Sequence, residues 1–226
     1  MVFTVCMRVL LGIILLSCIQ SVVNENVDTN TLSRIQIFFH RSYGSSSGQY
    51  AVAINVPKEQ CQSGFYPSRH NFLKNDKSEK VKPYIKRDSK DVYRGTELIA
   101  AGVHKDAHSE YLLMYPPKGS PLTYLMNKKK DGCVVFYTLI SPCIDRCLNK
   151  KHKDNIIPGL NELKEYQGIK AFVYTYIYNK DQSKENLREE LQKIADRVPL
   201  YRCDQLGCIL CGEPGSNKKE IDQCLN

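Results

Sequence analysis

Two long, mainly apolar runs constrain this chain more than any other feature. Cys133–Ile140 reads Cys-Val-Val-Phe-Tyr-Thr-Leu-Ile, and residues 169–178 read Ile-Lys-Ala-Phe-Val-Tyr-Thr-Tyr-Ile-Tyr. Runs this long, rich in β-branched and aromatic residues, predict strands covered on both faces. Between and after them lie stretches of helical length. Leu187, Leu191, Ile194 and Ala195 recur at helical spacing with charges opposite, and Ser183 is the expected cap. Residues 198–203 form a last short strand. Strands alternating with helices predict an α/β sandwich built with crossover connections.

The amino-terminal half is less regular. Residues 22–33 are polar and aperiodic, as in a linker. Residues 34–40 and 49–56 read as strands around the Ser/Gly-rich connection 43–48, and Pro57 ends the second. Residues 58–92 read as long loop. Residues 107–115 read as a short helix stopped before Pro116-Pro117.

At the start, Arg8 precedes the apolar run Val9 to Leu16, and the polar stretch Ser17–Ser21 follows. Such a run is too short to span a bilayer as an anchor, so residues 1–21 are read as a secretory signal and the protein as extracellular, without stable membrane association. The cysteines agree. Of ten, Cys6 and Cys18 leave with the signal, and six others, Cys61, Cys133, Cys203, Cys208, Cys211 and Cys224, allow up to three disulfides whose pairing the sequence leaves open. The last four could instead hold a structural zinc, and they make residues 203–226 a cysteine-rich tail behind a main domain of residues 30–202. No Asn-x-Ser/Thr acceptor occurs.

The chemistry concentrates at His108-Ser109-Glu110 and at Ser141-Pro142-Cys143, with Cys147 four residues on. Pro142 suits the first turn of a helix, which would place both thiols on one side and near its positive end. An imidazole and two thiolates make three zinc ligands and leave a fourth position for water, as a catalytic site requires. Glu110 can then move protons for that water. Taken singly, His-x-Glu is a common surface pair, and Cys143 with Cys147 could be a disulfide or part of a structural metal site. The set suits removal of an amino group from a nucleobase.

Residues 138–147, Thr-Leu-Ile-Ser-Pro-Cys-Ile-Asp-Arg-Cys, with His108-Ser-Glu110 upstream, resemble the AID/APOBEC branch of zinc-dependent deaminases, and the signal makes the chain most similar to its secreted members. The resemblance implies a cytidine-deaminase-like three-layer sandwich with a five-stranded mixed sheet flanked by helices. It implies Zn2+ on His108, Cys143 and Cys147, Glu110 as proton shuttle, and a loop at 178–183 beside the neighbouring nucleotide. The expected reaction is cytosine to uracil in single-stranded DNA or RNA, by attack of zinc-activated hydroxide. Deamination of free cytidine, or an inactive secreted binding protein on the same scaffold, are the alternatives.

Two departures stand out: three residues separate the cysteines where the family has two, and no asparagine matches the one relatives place near the sugar. Thr96 stands in that region, and with Ser141 and Tyr178 it completes the candidate substrate contacts, Tyr178 being the stacking residue. The net charge is +8 at pH 7. Its basic clusters, at 128–130, at 146–153 and at 82–94, point to a polyanionic partner around the site, with solvated surface lysine as the plainer reading.

Overall fold

The computed structural model describes residues 26–44, 48–89 and 91–225. The expected signal and its two cysteines lie outside them. Among the described residues no helix is long and apolar enough to cross a membrane.

The first described element is helix α1 (Thr29–Ser42), where a strand and part of a linker were expected. Asp28 caps it by accepting from the Thr31 N–H at 2.8 Å. Leu32, Ile35, Gln36 and Phe39 then repeat at helical spacing and are buried. Local β-branching around Ile35–Phe39 suggested extension, but the cap and the amphipathic period decide the outcome. Strand β1 (Tyr50–Val56) follows as expected. Residues 58–85 are irregular, with short 3-10 turns and one helical turn, Ser78–Val81. A tight hairpin, β2 (Tyr93–Arg94) and β3 (Leu98–Gly102), then returns beside β1.

Helices α2 (Ser109–Met114) and α3 (Pro121–Lys128) lead into β4 (Cys133–Ile140). Helix α4 (Ile157–Glu165) crosses over to the parallel strand β5 (Ile169–Tyr176), and α5 (Leu187–Ala195) crosses to the parallel strand β6 (Leu200–Asp204). Helix α5 begins after Asn186 rather than at Ser183, and the four residues predicted to line its inner side are all buried.

The sheet has seven strands in the order β2-β3-β1-β4-β5-β6-β7, not five. Four of them, β1, β4, β5 and β6, are expected ones; the fifth expected strand, residues 34–40, is helical, and β2, β3 and an edge strand from the tail are additional. That edge strand is β7 (Gly207–Gly212), drawn from the cysteine-rich tail and antiparallel to β6. It covers an edge that would otherwise present unpaired backbone groups.

Successive residues of β4 feed opposite cores. Val134 and Phe136 pack with α2 to α5, whereas Cys133, Val135 and Tyr137 pack with α1 and the 58–85 segment. Phe136 stacks on Phe172 of β5 with ring centroids 5.0 Å apart. Six cysteines form three disulfides: Cys61–Cys133, Cys203–Cys208 and Cys211–Cys224. The first ties the irregular segment to the start of β4, the second crosses β6 and β7, and the third pins the final 3-10 helix to β7. A four-cysteine zinc site in the tail is therefore not formed.

Candidate metal centre

Strands β4, β5 and β6 run parallel, so their carboxyl ends open on one edge of the sheet, where an α/β crevice binds ligands. Beyond Ile140 the ladder continues for one bond, Ser141 N–H to the Tyr176 carbonyl at 2.7 Å. The chain then turns inward at Pro142. Residues 143–148 form no helix, contrary to expectation. They make one wide turn closed by the Leu148 N–H on the Cys143 carbonyl at 3.0 Å. A bond spanning five residues accommodates the extra residue between the cysteines that a regular helical turn would not.

His108 is the cap residue of α2, with extended backbone, and its ring is free to turn away from the helix. Helix α2 is held close to α4: a Cβ added at Gly159 would lie 2.5 Å from Met114 Cβ, so only glycine admits this approach.

His108, Cys143 and Cys147 converge. Nδ1 of His108 lies 3.2 Å from Cys147 Sγ and 3.6 Å from Cys143 Sγ, and the sulfurs are 3.8 Å apart and unbonded. A tetrahedral zinc with ordinary bond lengths needs edges of about 3.5 Å between nitrogen and sulfur and about 3.8 Å between sulfurs. The triangle fits, and two thiols with an imidazole are donors of the softness zinc prefers. Both cysteines are buried. The Cys147 S–H, helped by His108, holds the Cys143 thiol far below its ordinary range, to about 4. Donating to Cys143, together with burial, drives the Cys147 thiol up. The bond to Cys143 raises the imidazole of His108 against its own desolvation.

Glu110, in the first turn of α2, is 1% exposed. Burial raises its carboxyl above the usual range, partly opposed by its own backbone, His108 and the Thr138 hydroxyl. Its Oε1 accepts from Thr138 Oγ1 at 2.8 Å and from Gln49 Nε2 at 2.9 Å, and its Oε2 accepts from Ser109 Oγ at 3.2 Å. Gln49 is itself fixed by the Ile140 N–H on its Oε1 at 2.8 Å. Neither Gln49 nor the role of Thr138 was read from the sequence. No motif marks a glutamine ahead of a strand, and the antiparallel register pairing Ala51 with Thr138 brings it to Glu110.

Ser141 is buried and accepts from the Tyr178 N–H at 3.0 Å, so it fastens the loop after β5 to the metal turn. Asp181, which the sequence did not single out, does the same: its Oδ2 accepts from the Ile144 N–H at 2.8 Å. Lys184 bridges Asp181 at 2.9 Å and Asp145 at 2.7 Å. Tyr178 is half-buried against the core at the root of this loop, close to Ser141.

Thr96 does not reach the site, contrary to expectation. It sits in the β2–β3 turn, where its N–H donates to Asp76 at 2.8 Å and its carbonyl accepts from Lys128 at 3.3 Å. The antiparallel register of β3 on β1 carries that turn to the opposite end of the sheet from Glu110. Lys128–Lys130 lie at the same far end, so the basic clusters do not all surround the site. Lys150, Lys151 and Lys153 are exposed beyond the metal turn. Arg146 instead binds the buried carboxylate of Asp154.

Compared with known families, residues 29–226 match the model of one described as Secreted Novel AID/APOBEC-like Deaminase 1. No curated protein and no solved structure matches the chain.

Proposed function

The chain belongs to the Secreted Novel AID/APOBEC-like Deaminase 1 family, and we propose that it is an exported enzyme converting cytosine to uracil in single-stranded DNA or RNA. Its proposed role is defence against foreign nucleic acid outside the cell. The observation that carries the reading is the His108–Cys143–Cys147 triangle with the fully buried carboxyl of Glu110 on the adjoining helix turn. Residues 1–21 direct export, residues 30–202 form the catalytic unit, and residues 203–226 brace it.

His108, Cys143 and Cys147 would hold zinc, which when bound acidifies water and polarises it for attack on a ring carbon. The chain's own groups do the rest. Glu110 accepts one proton of the attacking water and delivers it to the ring nitrogen, then carries the second from the new hydroxyl to the amine, which departs as ammonia as that oxygen becomes the ring carbonyl. Burial raises the Glu110 pKa, which makes the carboxyl a stronger proton acceptor than an exposed glutamate. Thr138 and Gln49 fix the carboxyl so that its second oxygen keeps one orientation. Ser141 and Tyr178 line the rim where the base enters, with Tyr178 stacking against it or its neighbour.

The pattern of thiols supports extracellular work. Every described cysteine outside the triangle is in a disulfide, while Cys143 and Cys147 are kept reduced and buried. Incubating the pure protein with single-stranded DNA, RNA and cytidine, each beside Glu110→Ala, tests the proposal. Uracil formed in a polynucleotide by the intact protein alone is the expected result. Identical product from both proteins, or from neither, would end the enzymatic reading.

A further inference from the structure

We infer that the outward ridge of α1 is an exosite for single-stranded polynucleotide, distinct from the metal centre and reached by a strand running across the rim of the sheet. The inference rests on the deaminase reading for the direction of that strand, and on the surface itself for the binding.

Arg34, Ile37 and Arg41 are spaced i, i+3 and i+7 and share one face of α1, with about 10 Å of helix between the two arginines. A depression lies on each side of this ridge. The first, about 550 Å³, is bounded by Ile37, Arg41, Leu139, Tyr176 and Leu206. The second, about 350 Å³, is bounded by Arg34, Ile37, Arg41 and Tyr66. Their apolar walls are open to solvent: Tyr176 is 54% exposed, Tyr66 38%, Ile37 37% and Leu206 98%. So much uncovered apolar and aromatic surface in one place marks a contact surface.

The charges match. Arg34 and Arg69 both lie over the Tyr66 ring, at 4.3 Å and 4.7 Å from its centroid. Among the described residues none of Arg34, Arg41 and Arg69 is in an ion pair. The acidic group of the first depression, Asp204, is turned onto its own hairpin, accepting from the Leu206 N–H at 2.7 Å. The hollow walled by Tyr176 suits a base, and the guanidinium ridge beside it suits the phosphates, with Arg34 and Arg69 held in place over Tyr66. An acidic peptide would use the arginines but leave the aromatic walls without a planar partner. The surface also joins the site, because the Tyr176 carbonyl accepts from Ser141, two residues before Cys143.

The test uses the full mature chain. Binding of labelled single-stranded DNA and RNA, about 15 nucleotides long, is followed by fluorescence anisotropy in the Glu110→Gln background, where turnover cannot intrude. Arg41→Glu should weaken binding about tenfold and reduce the slope of log K against log salt by about 0.7, the amount for one phosphate contact on a single strand. Lys130→Glu makes the same charge change on an exposed residue at the far end of the sheet, and should alter binding less than about twofold. Melting temperatures confirm that both variants fold. In protein with Glu110 intact, Arg41→Glu should raise KM for the oligonucleotide and leave kcat, and any turnover of free cytidine, unchanged. Equal weakening by Arg41→Glu and Lys130→Glu, or by neither, overturns the exosite even if cytosine is deaminated. A selective Arg41 effect in a protein that deaminates nothing upholds the exosite and removes the enzymatic reading instead. Weakening by an acidic peptide competitor but not by oligonucleotide would assign the ridge to a protein partner and overturn the inference.

Discussion

Replacing Thr138 by Val removes one hydroxyl and nearly nothing else from the carboxyl that the proposed chemistry depends on. Thr138 Oγ1 lies 2.8 Å from Glu110 Oε1, and Glu110 is buried from solvent. No water can replace the lost donor without opening the core. A hydrogen bond to a charged acceptor contributes about 1.5–3 kcal/mol. Its loss acts on the ionised form alone, so the Glu110 pKa, already raised by burial, moves higher still. The base is active when ionised, and the acid limb of kcat/KM therefore shifts to higher pH. At a pH on that limb the rate falls about 10- to 150-fold, the factor equivalent to that energy. On the plateau, where the carboxyl is ionised in both proteins, the loss is small, because Gln49 Nε2 still donates at 2.9 Å. The assay is a pH–rate profile for deamination, with zinc content measured in parallel. A uniform drop at every pH with the limb unmoved would refute the reasoning, since it would mean that Thr138 acts on something other than the charge of Glu110.

Glu110→Gln tests the same burial through stability. The folded pKa lies above the unfolded one, so the stability tied to the neutral carboxyl is complete below the unfolded value and is lost as pH rises through the folded value. In zinc-free protein the glutamine variant should melt above the parent at pH 8 and together with it near pH 4; coincident curves throughout would show no penalty for the buried charge. Cys147→Ser should lower bound zinc well below one ion per chain by elemental analysis, whereas the pair Cys203→Ser/Cys208→Ser should retain it, and the reverse pattern would move the metal to the tail. Cys61→Ala/Cys133→Ala opens a bridge across 72 residues and should cost about 4 kcal/mol in urea unfolding; a loss under about 1 kcal/mol would mean that packing alone holds the 58–85 segment. Ending the chain at Leu206 strips β7 from β6, and the exposed edge should make the product aggregate on size-exclusion chromatography.

The long apolar runs of β4 and β5 could be read directly, because a strand covered on both faces is apolar at most positions, Lys170 near the start of β5 being the charged exception. The four inward residues of α5 were legible for the same reason at helical spacing. His108, Glu110, Cys143 and Cys147 were legible because the residue types needed for metal and proton chemistry are few. Helix α1 was misread, since Ile35–Phe39 suits an extended chain locally and only burial of its other face against the sheet favours the helix. The hairpin β2–β3 and the tail strand β7 went unseen because their partners are distant in sequence, and an edge strand of two to six residues carries too little pattern of its own.

Residue types and their order thus determined the mixed α/β class, the likeness to deaminases and the side chains that could hold a metal. Tertiary structure decided what completes them. It folded the altered cysteine spacing into a wide turn, brought Gln49 and Thr138 onto Glu110, set Thr96 at the wrong end of the sheet, and paired the six remaining cysteines. Each of these depends on strand register or loop path, which are fixed by contacts between segments far apart in the chain and leave no local trace in the residues that make them.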